Sequence, residues 1–301
     1  MILGVLGGSG LYDIDGLGDV RSDDVETPFG PPSAPVLSGT VGGARLLFLP
    51  RHGRGHRFLP SEINYRANVF ALKKMGATRV LSVSAVGSLR EGLVPGDLVL
   101  CDQFIDKTWG RRTTLFGDGV VGHVSFAEPT CLAFAAAVAA AARASGFEEA
   151  ASEVRNARRN AGGAKRLHRG GTYVCMEGPQ FSTRAESELH RSWGADIIGM
   201  TAATEAKLCR EAELCFTALA LVTDYDGWHA EEEAVTAAAV VEVLRTNVAG
   251  AKAIVRRLPE HLTNIGGCEC AHAAAHAILT APEAITAEAR QRLRAIFGRD
   301  P

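Results

Sequence analysis

The stretch that decides the fold is Leu219–Trp228, which reads LALVTDYDGW. Its first residues are apolar or small, which is typical of a strand buried on both faces of a parallel sheet. The Asp-Tyr-Asp-Gly that follows is predicted to form the loop at the carboxyl edge of the strand, where open α/β sheets bind ligands. Asp224 and Asp226 can point to the same side, and two such acids repel each other unless a ligand, a cation or a shared proton relieves the repulsion. Because Asp and Gly also form ordinary turns, this stretch alone supports a turn and a ligand site equally.

Composition predicts a globular protein without a nucleic-acid or membrane partner. The 301-residue chain is 47% hydrophobic and carries a formal net charge of −2, which is ordinary for a soluble domain and gives no basic footprint for nucleic acid. The N-terminus lacks the basic region of a signal peptide. The longest apolar run, Leu132–Ala142, is too short to span a membrane. We therefore expect a cytoplasmic protein.

Short apolar strands alternate with helices along the chain. This order predicts an α/β fold, with a single-domain mixed central β-sheet flanked by helices over residues 1–262. The longest helical pattern is Val235–Leu258, and we expect Pro259 to end it. The segment 147–169 is basic and has little to bury, so we predict a mobile, solvated insertion rather than a nucleic-acid contact. Residues 263–301 are predicted to be a helical extension that packs on the body or on a neighbouring subunit.

Two of the seven cysteines, Cys268 and Cys270, form a Cys-Glu-Cys in this extension, and His272 and His276 follow closely. The other five are scattered, as is usual for small buried residues. The sequence offers no second cysteine pair to complete a structural zinc site. We therefore favour an ordinary polar tail, with a redox pair as the second alternative and a metal as the third, and we predict no metal site.

Polar residues follow four predicted strands. Gly7–Gly10 offers backbone N–H groups that can cradle an anion, and Arg51–His56 carries four basic or protonatable side chains. A glycine turn and an exposed basic loop are the ordinary alternatives. Since small hydroxyl side chains also follow other strands, the sequence predicts one compact anion site. The residues predicted to bind the anion are Ser9, Arg51, His52, Ser84 and Thr201.

The segment Glu177–Phe181, which reads EGPQF, joins an acid, a tight turn and an aromatic ring. Phe181 is placed either to stack on a planar base or to pack at the start of a helix. Glu177 is placed either to accept hydrogen bonds from sugar hydroxyls or to pair with Arg184.

Several long motifs occur in one order from about Ile2 to about Leu262. They include GGSGLYD, RHGRGH, VGSLRE, EGPQFS, GMT and TDYD. With these motifs the chain resembles the methylthioadenosine phosphorylase branch of the trimeric purine nucleoside phosphorylase family. The resemblance implies a nucleoside-phosphorylase fold, a homotrimer or a hexamer, and no cofactor, because inorganic phosphate is a co-substrate.

The resemblance also implies roles for individual residues. The anion of the predicted site becomes phosphate, and Asp224 and Asp226 become the catalytic residues that recognise the purine. Phe181 stacks on the base, and His123 reaches the 5′ end of the nucleoside in a neighbouring subunit. The residues implied to bind the nucleoside are His56, Ala85, Gly87, His123, Glu177, Phe181, Met200, Ala237 and Val240.

In the implied reaction, phosphate attacks the anomeric carbon of the sugar while Asp224, with a pKa raised by burial, gives a proton to the purine N7. Asp226 accepts a hydrogen bond from a 6-amino group. Gly199 stands where many relatives carry Asn, and Ala237 where a valine is expected. The 5′ substituent of the substrate therefore stays open among methylthio, fluoro, chloro and hydroxyl groups. An enzyme that accepts the hydroxyl group would be a broader purine nucleoside phosphorylase. A non-catalytic nucleoside binder is the remaining alternative, although a mere binder needs no phosphate site.

Overall fold

The structure is a computed structural model, and it describes residues 1–8, 11, 16–151, 154, 157, 165–229, 237–263, 265 and 267–300. Of the helical residues 237–242 and 244 only the backbone is described. The strands in these ranges are β1 (Ile2–Gly7), β2 (Gly18–Asp23), β3 (Val36–Val41), β4 (Ala44–Pro50), β5 (Arg79–Ser88), β6 (Leu98–Cys101), β7 (Gln103–Asp106), β8 (Glu148–Glu149), β9 (Arg166–Arg169), β10 (Thr172–Cys175), β11 (Ile197–Gly199) and β12 (Cys215–Asp224). The α-helices are α1 (Tyr65–Lys74), α2 (Leu132–Ala144), α3 (Arg184–Ser192), α4 (Ala202–Glu211), α5 (Ala237–Leu262) and α6 (Ala287–Phe297).

All twelve strands belong to one mixed sheet, in which β5 and β12 are the central parallel pair. The main path runs in the order β2-β3-β4-β1-β5-β12-β6-β9-β8. Strand β11 pairs with the end of β5 in the antiparallel sense and leads to β10 and β7. The predicted mixed sheet flanked by helices is confirmed.

Strand β12 shows why helices must cover both faces of the sheet. Side chains alternate between the faces of a strand, and Phe216, Ala218, Ala220 and Val222 join one core cluster, which also holds residues of α1 and α4. Leu219 and its alternate neighbours join a second cluster with residues of α2 and α5. The apolar run before Asp224 is therefore the hydrophobic centre of the molecule.

The helix α5 continues through Pro259 to Leu262, so the prediction that Pro259 ends it is wrong. Proline lacks one N–H and costs the helix one backbone hydrogen bond. Leu258 and Leu262, which flank the proline, are both buried in the second core cluster. This burial favours the helical form of the last turn against the cost of the proline.

The ends of the segment 147–169 belong to the sheet, so the expectation that this segment buries little is wrong there. Phe147, Leu167 and His168 are buried, and β8 pairs with β9 in the parallel sense. The basic residues around them concealed this short strand pair in the sequence. Residues 152–153, 155–156 and 158–164 of the segment lie outside the described part of the chain.

The C-terminal extension packs on the body. Leu293 and Ile296 of α6 join the core cluster that contains α1. Arg299 donates to the buried Glu213 through both of its terminal nitrogens, at 2.8 and 2.6 Å. None of the described helices is both long and apolar enough to cross a membrane.

Candidate active site

The side chain of Ser84 and the backbone of Thr201 lie together around the buried phenol of Tyr173. Burial raises the pKa of Tyr173, and the adjacent Ser84 side chain and Thr201 backbone act against that rise. Among the described residues, the hydroxyl oxygens of Ser84, Thr201 and Tyr173 are buried without a partner at hydrogen-bonding geometry. Buried hydroxyls usually have a partner. The hydroxyls of Ser84 and Thr201 are therefore candidate donors to a ligand, whereas the Tyr173 hydroxyl is fully buried beside Ser84.

Thr201 also occupies the N-cap position of α4, a helix of 10 residues, and its side chain makes no capping hydrogen bond. The first N–H groups of a helix have no partner within the helix, and its positive end favours an anion. Such an end together with available hydroxyls is a suitable site for phosphate or another oxyanion.

Arg51 is the buried link between the strands β1 and β5. The residue is 1% exposed, and its Nε donates to Glu205 Oε1 at 2.6 Å. Its terminal nitrogens donate to the backbone oxygens of Val83 and Leu6 at 2.7 and 2.8 Å. A desolvated guanidinium needs such a counter-ion. Glu205 occupies the edge of the guanidinium formed by Nε and Nη2, and phosphate binding by Arg51 stays a prediction.

His52 is a neutral histidine with a defined tautomer. Burial lowers its pKa to about 4, and the nearby Arg51 charge acts in the same direction. Its Nδ1 lies 2.9 Å from the backbone oxygen of Phe58, so this nitrogen carries the proton and donates it. The other ring nitrogen, Nε2, then has a free lone pair. The ring stacks on His56 with centroids 4.2 Å apart.

Asp224 ends β12 beside Gly87 of β5. Its Oδ2 accepts a hydrogen bond from the Thr223 hydroxyl at 2.7 Å, and its Oδ1 accepts one from the Asp226 backbone N–H at 2.8 Å. Burial raises the pKa of Asp224, and the nearby Asp226 charge adds to the rise. A Cβ on Gly87 would lie only 2.9 Å from Asp224 Oδ1. Glycine at this position therefore makes room for the carboxylate.

Asp226 lies in the turn after the strand, with a left-handed φ of 53°. It is buried, and its Oδ2 accepts a hydrogen bond from the hydroxyl of Ser187 in α3 at 2.5 Å. The two carboxylates thus have different partners, although Asp226 Cβ and Asp224 Oδ1 both lie against Gly87. A strand alternation cannot predict this arrangement, because the chain leaves the strand between the two acids.

Glu177 binds the loop 109–111, so the predicted pairing with Arg184 is wrong. Its Oε2 accepts from the Trp109 and Gly110 backbone N–H groups at 2.8 and 3.3 Å, and its Oε1 from Arg111 Nε at 3.2 Å. Its ionic partner is Arg111 rather than Arg184. The carboxylate holds a loop, and a contact with ribose stays a prediction.

Arg111, whose side chain is buried, lies beside the predicted residues Glu177 and Met200 but was not predicted from the sequence. It donates to the backbone oxygens of Met200 and Glu177 and, at 3.1 Å, to the hydroxyl of Tyr65. Met200 in turn packs against Gly178, where a Cβ would meet its sulfur at 2.5 Å. Glu205 and Tyr173 were also missed. Nothing in the local sequence marks these three residues, because their partners are distant along the chain.

The remaining predicted residues lie in several places. Phe181 is 44% exposed, and Ala85 pairs in register with Leu221 beside the strand ends. His123 is exposed, and its backbone N–H donates to Ala277 of the C-terminal extension at 2.8 Å. The structure thus places His123 with the extension rather than with the strand ends.

Three of the predictions fall on parts that the structure does not describe. Ser9 lies outside the described residues. Ala237 begins α5 and Val240 follows in its first turn, but their side chains are outside the described part.

Comparison with known proteins agrees with this geometry. The family model of the phosphorylase superfamily matches residues 2–260. The S-methyl-5′-thioadenosine phosphorylase of Geobacter sulfurreducens is 51% identical, over 99% of this chain and 98% of that protein. The enzyme of the same name from Koribacter versatilis is 47% identical, over 99% of this chain and 96% of that protein.

Solved structures give the same result. A methylthioadenosine phosphorylase from an antarctic soil metagenomic library has a TM-score of 0.88 at 43% identity, covering 98% of both chains. The methylthioadenosine phosphorylase of Schistosoma mansoni, in complex with adenine, has a TM-score of 0.81 at 41% identity, covering 86% of this chain and 91% of that one. The chain therefore belongs to the phosphorylase superfamily and, within it, to the methylthioadenosine phosphorylase branch of the purine nucleoside phosphorylases.

Proposed function

We propose that this protein catalyses the reversible phosphorolysis of 5′-methylthioadenosine to adenine and 5-methylthioribose 1-phosphate. The observation that supports the proposal is the register that sets Ser84, a predicted anion-binding residue, on the strand next to Asp224, an acid whose pKa is raised by burial. Ser84 lies three residues before Gly87 on β5, and Gly87 pairs with Asp224. Three residues of strand span about 10 Å, which leaves room for a sugar between the phosphate and the base.

In this proposal, phosphate binds at the first turn of α4 with the hydroxyls of Ser84 and Thr201. Ser9 is assigned to the same site from the resemblance alone. The lone pair on His52 Nε2 accepts a hydrogen bond from the P–OH group of the hydrogen phosphate ion. Arg51 contributes positive charge and fixes the strand ends around the site. Because the neutral His52 offers an acceptor at Nε2, it favours a phosphate ion that still carries a proton to donate.

The chemical step forms the bond from a phosphate oxygen to the anomeric carbon and breaks the bond from that carbon to the purine N9. Positive charge develops on the sugar, and the adjacent phosphate stabilises it. Asp224 in its protonated form donates its proton to N7, so that the purine leaves as the neutral base. Its raised pKa supports this role, since a general acid must hold a proton near neutral pH.

The proposed base is a 6-aminopurine. Asp226 accepts a hydrogen bond from the 6-amino group, whereas a 6-oxo purine would place an acceptor against an acceptor. Phe181 is assigned the stacking surface from the resemblance. The Schistosoma mansoni relatives were solved in complex with adenine and with tubercidin, which supports an adenine-like ligand here.

The 5′ substituent is the finer part of the proposal. Ala237, Val240 and the neighbour's copy of His123 are assigned to it through the resemblance, which also implies a homotrimer or a hexamer. A difference of one methyl group in an apolar pocket changes discrimination by only about 1–3 kcal/mol. Because the pocket alone discriminates so weakly, the choice of substrate rests on the relatives, whose names favour methylthioadenosine over 5′-fluoro- or 5′-chloro-5′-deoxyadenosine. We further propose that the protein acts in the cytoplasm and needs no cofactor.

The test is adenine release from methylthioadenosine with and without phosphate, compared with kcat/KM for the 5′-fluoro, 5′-chloro and 5′-hydroxyl nucleosides and for inosine. We expect release only with phosphate, the highest kcat/KM for the methylthio compound and the lowest for inosine. Release without phosphate would contradict phosphorolysis, and a higher kcat/KM for a halogenated nucleoside would change the substrate but not the reaction. Binding without turnover would favour a nucleoside-binding protein.

A further inference from the structure

Four cysteines from three distant parts of the chain meet at the end of the sheet opposite Asp224. One precedes α2, one begins β12, and two lie in the C-terminal extension. Their sulfur atoms all lie within 4.8 Å of one another. The members of this four-cysteine cluster are Cys131, Cys215, Cys268 and Cys270.

The cluster overturns the reason for expecting no metal site. The sequence holds no second cysteine pair to join Cys268 and Cys270, but Cys131 and Cys215 complete the set in space. Cys131 and Cys215 are far apart in the sequence. The fold brings them together, because the Cys131 N–H donates a hydrogen bond to the backbone oxygen of Phe216, the residue after Cys215, at 2.7 Å. Only the topology of the sheet could reveal this arrangement.

The distances suit a tetrahedral metal ion. Four sulfurs at about 2.3 Å from Zn²⁺ lie about 3.8 Å from one another. The sulfurs of Cys215 and Cys268 are 3.4 Å apart, and every other pair is within 4.8 Å. Shifts of less than about 1 Å therefore give zinc geometry. Cys131, Cys215 and Cys270 are buried and Cys268 is half-buried, as a closed structural site requires.

The donor set also selects the ion. The cluster consists of four sulfurs, and thiolates prefer Zn²⁺ over Mg²⁺ or Ca²⁺. Cys131 occupies the N-cap position of α2, and the positive end of a helix stabilises a thiolate. An ordinary group of buried thiols is the alternative, but it does not explain why four of the seven cysteines of the chain meet at one point.

We propose that the four-cysteine cluster binds one structural Zn²⁺ ion that fastens the C-terminal extension to the body. Each thiol releases its proton to solvent when its sulfur binds the ion, and no electron is transferred. The ion would join the start of β12 to the extension that carries α6. Since β12 ends at Asp224, the same ion would fix the base of the strand that positions this acid.

The test is the zinc content of the full chain, purified under reducing conditions and measured by inductively coupled plasma mass spectrometry. We expect one Zn²⁺ per chain in the wild type and a loss of about tenfold or more in C268S. The matched control is C209S, because Cys209 is also a free buried cysteine but lies in α4 outside the cluster. This control should keep its full zinc content.

Two further measurements keep the test decisive if C268S folds poorly. A chelator should lower the Tm of the wild type, and Co²⁺ added to the metal-free wild type should give the absorption bands of tetrahedral thiolate coordination. A reduced wild type that binds neither ion would overturn the proposal. So would zinc retained in C268S, or peptide mapping that finds the four cysteines joined as disulfides in the protein as isolated from cells. None of these measurements depends on catalysis, so failure of the zinc site and failure of the proposed function are distinguishable.

Discussion

Removing the hydroxyl of Thr223 should raise the pH at which activity is lost. Thr223 donates to Asp224 Oδ2 at 2.7 Å, and the bond stabilises the ionised form of this acid. The same hydroxyl lies 3.2 Å from the backbone oxygen of Val86, so its single hydrogen is shared. In T223V the shape of the side chain is kept and only the donor is lost. The carboxylate is then less stable, and the pKa of Asp224 rises further.

The size of the effect follows from one hydrogen bond to a charged group, which contributes about 1.5–3 kcal/mol. Because the hydrogen is shared with Val86, we expect the lower end of this range, or roughly a tenfold change in the proton dissociation constant. In the proposed mechanism Asp224 works as a protonated acid, so activity is expected below its pKa and is lost as the pH rises through it. The alkaline limb of the profile should therefore move up by about one pH unit in T223V.

The assay is kcat/KM for methylthioadenosine as a function of pH, with saturating phosphate. The matched control is T217V, because Thr217 lies on the same strand and its hydroxyl is buried without a partner among the described residues. The alkaline limb should not move in T217V. An alkaline limb that stays in place or moves to lower pH in T223V would refute the role of Asp224 as the proton donor.

Three further predictions concern the anion site, the glycine beside the acid and a buried carboxyl. T201V should raise the KM for phosphate about 10- to 100-fold with little change in the KM for the nucleoside, because one donor to an anion is lost; equal changes in both would contradict the assignment. G87A places a Cβ 2.9 Å from Asp224 Oδ1 and should displace the acid. We expect kcat/KM to fall at least about tenfold, with Tm measured alongside as the control for folding. Unchanged activity would argue against the placement of Asp224 beside Gly87. Burial raises the pKa of Glu211 from 4.5 to about 7. Between these two pH values the folded state still holds the proton that the unfolded state has released, so the free energy of unfolding falls as the pH rises. E211Q should therefore gain up to about 3 kcal/mol over the wild type at pH 8 and nothing at pH 4 in urea unfolding, and a pH-independent difference would be the contrary result.

The sequence was sufficient for features that depend on neighbours along the chain. The apolar run before Asp224 predicts a buried strand because each of its residues has the same local character, and the acids after it mark the strand end. Thr201 follows the end of β11 as predicted, whereas Ser84 lies within β5, which continues to Ser88, so its predicted place at a strand end is wrong. The structure brings the Ser84 side chain and the Thr201 backbone together near Tyr173, and anion binding by these residues stays a prediction.

The features that were missed depend on contacts between distant residues. Glu205 lies 154 residues from Arg51 in the chain, yet it is the ionic partner that occupies the predicted anion binder. The loop partner of Glu177 is likewise 66 residues away. Burial creates these pairs, since a desolvated charge needs a counter-ion wherever the fold can supply one. Local patterns carry no information about which one it is.

The proposed attack by phosphate on the sugar is tested most directly with phosphate labelled with ¹⁸O at every oxygen. The wild-type protein is incubated with methylthioadenosine and labelled phosphate, and the sugar product is analysed by mass spectrometry. Phosphorolysis predicts methylthioribose 1-phosphate that keeps all four labelled oxygens, because a phosphate oxygen forms the new bond to carbon and no P–O bond breaks. Free methylthioribose without phosphate, its new oxygen coming from unlabelled water, would contradict the account.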